Sequence, residues 1–423
     1  MRALDEGELR AANDLFGAVL HRAPVDDARW ARRRGSYTPG RTFGTFDPDG
    51  RLTGTTTSYP SRTAVPGGAV VPLAAVTRVG VRADRTRRGL ATALMRAQLD
   101  DLRDRGDVLA LLWASESGIY GRYGYGVTTR ARSVRVRASR PALRPEAPAG
   151  GTVRLLDRDE ISPVLATVHD RLALRRPGGI TRPLGWWELA MNRHADDPLI
   201  AAVHTGPDGI DDGFALAVPR WPGMFAPADE QGTLQVEDLH AADVVAAAGL
   251  WRFLLGVDLV THVEAVMQAL DDPLDLLLAD PRHAVVTGIA DETWLRLVDV
   301  PAALAARTFP TGPAAGSERA AAAGREGDAA PRPVLLAVHD PLLPDNAGVY
   351  RVAADGTERV GPLGACEPEL SCDVAALAMA YLGDRRPSIL AATGWWTVHD
   401  PAALPRADTL FATNVAPWCG THF

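Results

Sequence analysis

Arg82, Arg85, Arg87, Arg88 and Gly89 stand close together in the stretch VTRVGVRADRTRRGLATALM, residues 76–95. A helix that opens on a glycine leaves backbone N–H groups unpaired at its N-terminus, and those donors and the helix dipole suit a phosphate or pyrophosphate. Gly89 lets the backbone approach the anion, and Arg87 and Arg88 add fork-shaped cationic donors. No Lys-Ser/Thr follows the glycine, so this is not a P-loop. The G-x-G-x-x-G spacing of the dinucleotide fingerprint is also absent. The competing reading is a basic, solvated helix start with no ligand.

The flanking pattern shows what would position such a cradle. Val76, Val79 and Val81 sit in a strand-like run before it. From Gly89 to Arg105 the period turns helical, with Leu90, Ala91, Leu94, Met95, Gln98 and Leu102 on one face. Gly106 closes that helix as a C-cap candidate. Val108–Trp113 is continuously apolar, as expected of a strand buried on both faces. A turn rich in tyrosine and glycine follows, WASESGIYGRYGYG, residues 113–126.

On these residues the chain resembles a known family. The segment 76–95 is similar to the acetyl-CoA-binding segment of the GNAT superfamily of N-acetyltransferases. The segment 113–126 resembles one branch of it, the Eis (enhanced intracellular survival) acetyltransferases. The superfamily usually has Gln or Arg three residues before the loop glycine, where this chain has Thr86. The resemblance implies an α+β fold with mixed sheets: two tandem GNAT-like domains and a sterol-carrier-like C-terminal domain. It implies acetyl-CoA as co-substrate, held by Val79, Gly80, Val81, Arg87, Arg88, Gly89, Leu90, Ala91 and Thr92, with Ser115 and Glu116 flanking it. It implies a cationic amine acceptor, most readily an aminoglycoside or similar polyamine, and a homo-oligomer, by family habit a hexamer.

Acetyl transfer from a thioester to an amine needs the donor held, an oxyanion stabilised, the amine deprotonated and the thiolate protonated. A thiol titrates near about 8.5 and a tyrosine near about 10, so a neighbouring tyrosine can serve the leaving sulfur. The resemblance assigns that role to Tyr120; Tyr123 and Tyr125 stand beside it as alternatives. It assigns the base to the carboxylate of the last residue, Phe423. A free α-carboxylate is a weak base, about 3.3–3.7, that burial strengthens. The resemblance also has the final residues CGTHF thread back into the first domain's cleft. His422 and Trp30 are candidate acceptor-pocket residues. For Trp30 the alternative is ordinary core. Ser115 and Ser117 lie on no G-x-S-x-G elbow, and the histidines show no i, i+4 pairing, so neither a hydrolase nor a zinc site is expected.

The whole chain sets the frame. At 423 residues two or three domains are expected: 1–140 for the cofactor-binding half, 150–290 for a second GNAT-like half and 291–423 for the sterol-carrier-like domain. The Pro- and Gly-rich run 139–151 marks the first boundary. A net charge of −7 argues against a nucleic-acid partner. Three cysteines without metal spacing, no signal peptide and no long apolar run point to a cytoplasmic protein without metal or membrane span.

Further strands are expected at Arg41–Phe46 and Leu52–Tyr59, joined by an Asp-Pro-Asp-Gly turn. Ser133–Ala138 reads as an edge or one-face-exposed strand, Trp294–Val300 as a strand of the third segment, and 311–333 as a flexible loop. A helix is expected over Ser371–Leu382 with Ser371 as N-cap. In the second half the turn Asp238–Asp243 carries acids where a phosphate would sit, so that half is read as scaffold. The acceptor alternatives are protein lysine or a small metabolic amine. The rival of another class is a non-catalytic acyl-CoA-binding regulator.

Overall fold

The structure is a computed structural model that describes residues 1–138, 142–223, 232–310 and 332–423. The expected loop at 311–333 therefore lies almost wholly outside the described residues.

The first half runs β1 (Arg2–Ala3), α1 (Leu9–Val19), α2 (Asp27–Arg33), β2 (Thr42–Phe46), β3 (Leu52–Ala64), β4 (Val70–Val81), α3 (Leu90–Asp104), β5 (Leu109–Leu112), α4 (Ser117–Tyr120) and β6 (Gly126–Arg137). The second repeats the order: β7 (Thr152–Leu155), α5 (Arg158–Leu172), α6 (Leu184–Arg193), β8 (Ile200–Thr205), β9 (Asp211–Arg220), β10 (Gly232–Ala241), α7 (Val244–Gly256), β11 (Val260–Ala269), α8 (Leu274–Leu277) and β12 (Ala284–Leu297). The third part holds α9 (Val300–Ala306), β13 (Val334–His339), β14 (Gly348–Ala353), β15 (Gly356–Gly361), β16 (Leu370–Asp373), α10 (Val374–Tyr381), α11 (Pro387–Ala392), β17 (Trp396–Val398) and α12 (Ala403–Leu410).

The first two parts share one twelve-stranded sheet, β1-β2-β3-β4-β5-β12-β6-β11-β10-β9-β8-β7. Each half lends its last strand to the other. β12 inserts between β5 and β6, with Leu295 facing Leu111 on one side and Gly126 on the other. β6 in turn pairs with β11, Val134 facing Ala265. The Val/Arg alternation of β6 does expose one face, because Val134 and Val136 are buried while Arg135 and Arg137 are exposed. Yet β6 is no edge; it has a neighbour on each side. The strand expected at Trp294–Val300 runs Ala284–Leu297 and belongs to this sheet rather than to the third part's own five strands, β15-β14-β13-β16-β17.

The third part docks on the sheet through α10. The Thr128 hydroxyl donates to the Ala378 carbonyl at 3.2 Å. A Cβ at Gly126 would lie 2.1 Å from the Ala375 carbonyl oxygen, so only glycine allows this approach. The N-cap of α10 is Asp373, whose side chain accepts from the Ala376 N–H. Ser371 instead lies within β16. Among the described residues no helix is long and apolar enough to cross a membrane.

A buried ion pair ties sheet to third part. Arg296 of β12 donates to both oxygens of Asp340 at 2.7 Å, and the two side chains are 0% and 1% exposed. Asp340 also accepts from the Leu343 N–H and the Asn346 amide. Removing one partner of such a pair strands a buried charge. Arg296→Ala is expected to cost about 3–5 kcal/mol of stability. Denaturant unfolding at neutral pH checks this; a loss below about 1 kcal/mol would contradict it.

Candidate active site

The parallel β4–β5 ladder ends at Val76–Leu112. Just beyond, β4 bulges. Against β3, Thr55 faces Gly80 and Thr57 faces Thr77, so Arg78 and Val79 share one opposing residue. Arg78 has φ +54° there. The strands part, and a cavity of about 760 Å³ opens between them. Its walls are Val76–Val79, Leu112–Ser115, Tyr120, residues around α1, α2 and α6, and the chain's last two residues.

Of the three turn tyrosines, Tyr120 alone lines this cavity. The Tyr123 hydroxyl lies 3.4 Å from that of Thr92, and the Tyr125 hydroxyl is enclosed without a partner. Burial, with smaller contributions from Tyr123 and Glu116, pushes Tyr120 up to about 12. It therefore stays protonated across the physiological range, as a proton donor must.

Val79, Ser115, His422 and Phe423 also line the cavity. Gly80 and Val81 continue β4 past the bulge, paired with Thr55 and Gly54 of β3. Glu116 is the N-cap residue of α4 and is exposed. Trp30 does not line the cavity. It packs on Tyr37 at 5.9 Å, in a cluster with Leu4, Leu9 and Ala12. The face of α2 that turns to the cavity carries Arg29 and Arg33 instead.

The anion cradle lies at the far end of β4. Gly89 is the N-cap of α3, with φ +78° and open space where a Cβ would stand. No side chain caps α3, so the first-turn N–H groups of Leu90, Ala91 and Thr92 have no helical partner. Arg82 and Arg85 are engaged by Asp84, while Arg87 and Arg88 are exposed. The Thr86 hydroxyl turns inward and donates to the Ala83 carbonyl at 3.2 Å, so it braces the loop instead of facing out.

The C-terminal residues reach the cavity along a built track. The Cys419 and Gly420 N–H groups donate to the Glu292 carboxylate at 3.1 and 2.7 Å. Arg182 donates to the Gly420 carbonyl at 2.9 Å and the Thr421 hydroxyl at 3.1 Å. It also pairs with Asp238 and lies over the Trp186 ring at 4.0 Å. The Trp113 indole donates to the Thr421 carbonyl at 2.9 Å, and that of Trp186 to the His422 carbonyl at 2.7 Å. His422 lies on Trp113 with ring centres 5.1 Å apart, and the Phe423 ring meets Tyr59 edge-on at 5.7 Å.

Comparison with known proteins bears on the family and the fold. Residues 1–128 and 178–297 each match a family model described as an acetyltransferase (GNAT) domain, and 300–420 match a sterol carrier protein domain. An uncharacterized N-acetyltransferase of Streptomyces avermitilis is 34% identical over 98% of this chain and 95% of its own length. The N-acetyltransferase Eis of Mycobacterium bovis is 32% identical over 84% of this chain and 81% of its own. The crystal structure of Eis1 from Mycobacterium abscessus superposes with a TM-score of 0.85, at 37% identity, covering 100% of this chain and 99% of that one. The chain belongs to the Eis family of GNAT N-acetyltransferases.

The GNAT fold implies an acyl-CoA co-substrate, and this Eis-family chain offers two counterpart places for one. In the first half the uncapped α3 and the Arg87–Gly89 loop fit its phosphates. In the second half the corresponding helix, α7, is already capped: Asp243 accepts from the Val245 and Ala246 N–H groups at 2.8 and 3.0 Å. A phosphate there would meet the Asp243 carboxylate in place of free donors. Asp238, farther back on β10, is buried against Arg182; burial raises its carboxyl, but Arg182 and His240 outweigh this and hold it at about 2.

Arg182, Glu292 and Trp186 hold the tail and were missed by sequence reasoning, because the tail is distant in sequence and no local pattern could reveal the contact. Asp238, read from sequence only as an acid of the second half's turn, pairs with Arg182. His422 makes the tail's seating sensitive to acid. It is held at about 4, by burial and then by Arg193 and Arg22, against an ordinary 6.5. Its contribution is whole above pH 6.5 and is lost as the pH falls toward about 4, because the released imidazole takes a proton that the seated one refuses. An acid-active carboxypeptidase should release Phe423 increasingly fast from pH 6.5 to 4. A release rate flat across that range, after correction for the protease's own profile, would contradict the coupling.

Proposed function

We propose that this enzyme transfers the acetyl group of acetyl-CoA to a primary amine by direct attack, with Tyr120 as general acid and the Phe423 carboxylate as general base. The observation that carries the reading is that Tyr120 and Phe423, far apart along the chain, line one cavity at the point where β4 and β5 part. The neutral amine nitrogen forms a bond to the acetyl carbon, and the carbon–sulfur bond breaks. The nitrogen's proton goes to the Phe423 carboxylate. The departing sulfur takes the Tyr120 proton, which solvent replaces. When bound, the co-substrate supplies the activated acyl group. The β4 edge toward β5, unpaired beyond Val76, offers hydrogen-bonding groups to its extended arm, and the Arg87–Gly89 loop offers donors to its phosphates.

The family resemblance suggests an aminoglycoside or another polyamine as acceptor. The charges around the cavity favour the other class, a small amine. Homo-oligomer formation fits an exposed apolar strip, Val266 on β11 with Val285, Val286 and Ile289 on β12, which is 47–60% exposed. Sedimentation at micromolar concentration should therefore give an assembly, with six copies as the family expectation. A monomer would reject it.

Tyr120→Phe is expected to lower kcat by about 10²-fold or more with little change in acetyl-CoA affinity. Extending the chain past Phe423, or amidating it, should abolish turnover and leave acetyl-CoA binding intact. Thiol release with an amine panel and calorimetry with acetyl-CoA measure both. Full activity in the extended protein would remove the terminal base from the mechanism.

A further inference from the structure

The acceptor side of the cavity is cationic. Arg22 after α1, Arg29 and Arg33 on α2, Arg78 on the β4 bulge and Arg193 on α6 all line it. Asp14 is the single acidic side chain among the described lining residues, and it already accepts from Asn13 at 3.1 Å; the other anion there is the Phe423 carboxylate, which the reaction itself uses. Two of the arginines are engaged. Arg78 donates to the Ser36 hydroxyl at 2.6 Å and lies over the Tyr37 ring, and Arg29 is 3.7 Å from Asp26.

The other three form no ion pair with a carboxylate among the described residues, and Arg193 has His422 Nδ1 at 3.5 Å. Burial lowers Arg33, and the Arg78 and Arg22 charges add to it. Burial also lowers Arg193, with Arg22 and Arg33 adding to the effect and Tyr59 and the more distant Glu237 opposing it. Arg22 and Arg193 are exposed on this wall and Arg33 is half-buried; cations gathered on one wall repel one another, and an anion relieves them. Guanidinium forks match the oxygens of carboxylate and phosphate, which no ammonium can use. These arginines do not serve the co-substrate's phosphates. Those have the Arg87–Gly89 cradle, which does not line the cavity, whereas Arg22, Arg33 and Arg193 do.

We propose that the acceptor is an amine that also carries an anionic group, a carboxylate or phosphate, held by Arg22, Arg33 and Arg193 while its amino group lies toward Phe423. The proposal rests on the acetyltransferase reading above and names its substrate class. A polycationic acceptor would bring ammonium groups against these same arginines.

The test compares 5-aminopentanoate with 1,5-diaminopentane, which match in length, beside O-phosphoethanolamine and an aminoglycoside. Thiol release from acetyl-CoA is the readout. The expected result is that kcat/KM for the anionic amines exceeds that of the diamine by about tenfold or more. Arg193→Gln with Arg33→Gln should raise KM for the anionic amines about tenfold or more while kcat changes less, and Arg193→Lys should restore part of the loss. Preference for the diamine or the aminoglycoside would overturn the acceptor class and leave the acetyl transfer standing. So would a KM unmoved by the substitutions. If no amine releases thiol, calorimetry of the same compounds decides. Binding of 5-aminopentanoate that the double substitution removes supports the anion site. Absent binding, or binding equal to the diamine's, overturns it.

Discussion

Arg182 is the buried cation on which the cavity's last wall depends. Its side chain is 1% exposed and meets Asp238, the Gly420 carbonyl, the Thr421 hydroxyl and the Trp186 ring. A charge this deep is tolerable only when every donor is used. Asp238 neutralises it, and the tail supplies oxygens for its remaining donors. Glu292 answers from the other side with a buried carboxylate, raised by burial even though the Cys419 and Gly420 N–H groups hold it. The tail thus completes two buried charges at once, and neither is satisfied without it. That reciprocity fixes where residues 419–423 run, and so where Phe423 arrives.

The two GNAT halves have used one geometry for different ends. Both have a parallel strand pair that parts beside a bulge, β4–β5 in the first and β10–β11 in the second, where the register slips between Val236 and Asp238. In the first half the opening is left as the cavity. In the second it is filled from within: Trp418 packs on His240 at 4.9 Å and its indole donates to the Met267 carbonyl at 2.7 Å. The duplicate has become a socket for the tail that serves the original. Its phosphate end is closed as well, since Asp243 accepts the α7 N–H groups that a ligand would need.

What the sequence made legible was local. The glycine that opens α3, the 3.6-residue period behind it and the apolar run of β5 each depend on neighbours within a few residues, and each was readable. What stayed hidden was partnership. Alternation of Val and Arg in β6 shows that one face is wet, but nothing in it says that β12 will lie alongside. Trp30 reads from sequence as either a pocket or a core residue, and nothing near it says whether it faces the cavity or Tyr37. Asp373 and Ser371 are both good caps; only the end of β16 decides between them. The arginines of the acceptor wall are scattered over α2, α6 and β4, and folding alone gathers them.

The exchange of β6 and β12 has a consequence for how the chain comes to be folded. β5 and β6 follow one another in sequence, yet they are held one strand apart by a segment made much later. During synthesis the first half must therefore leave a slot open, with two strand edges unsatisfied, until the second half has emerged. Closing that slot brings together residues far apart along the chain, which makes it slow. Two copies waiting in this state could fill each other's slot. An interlocked dimer, joined by exchanged strands rather than by surface contact, is the characteristic misassembly of such a fold.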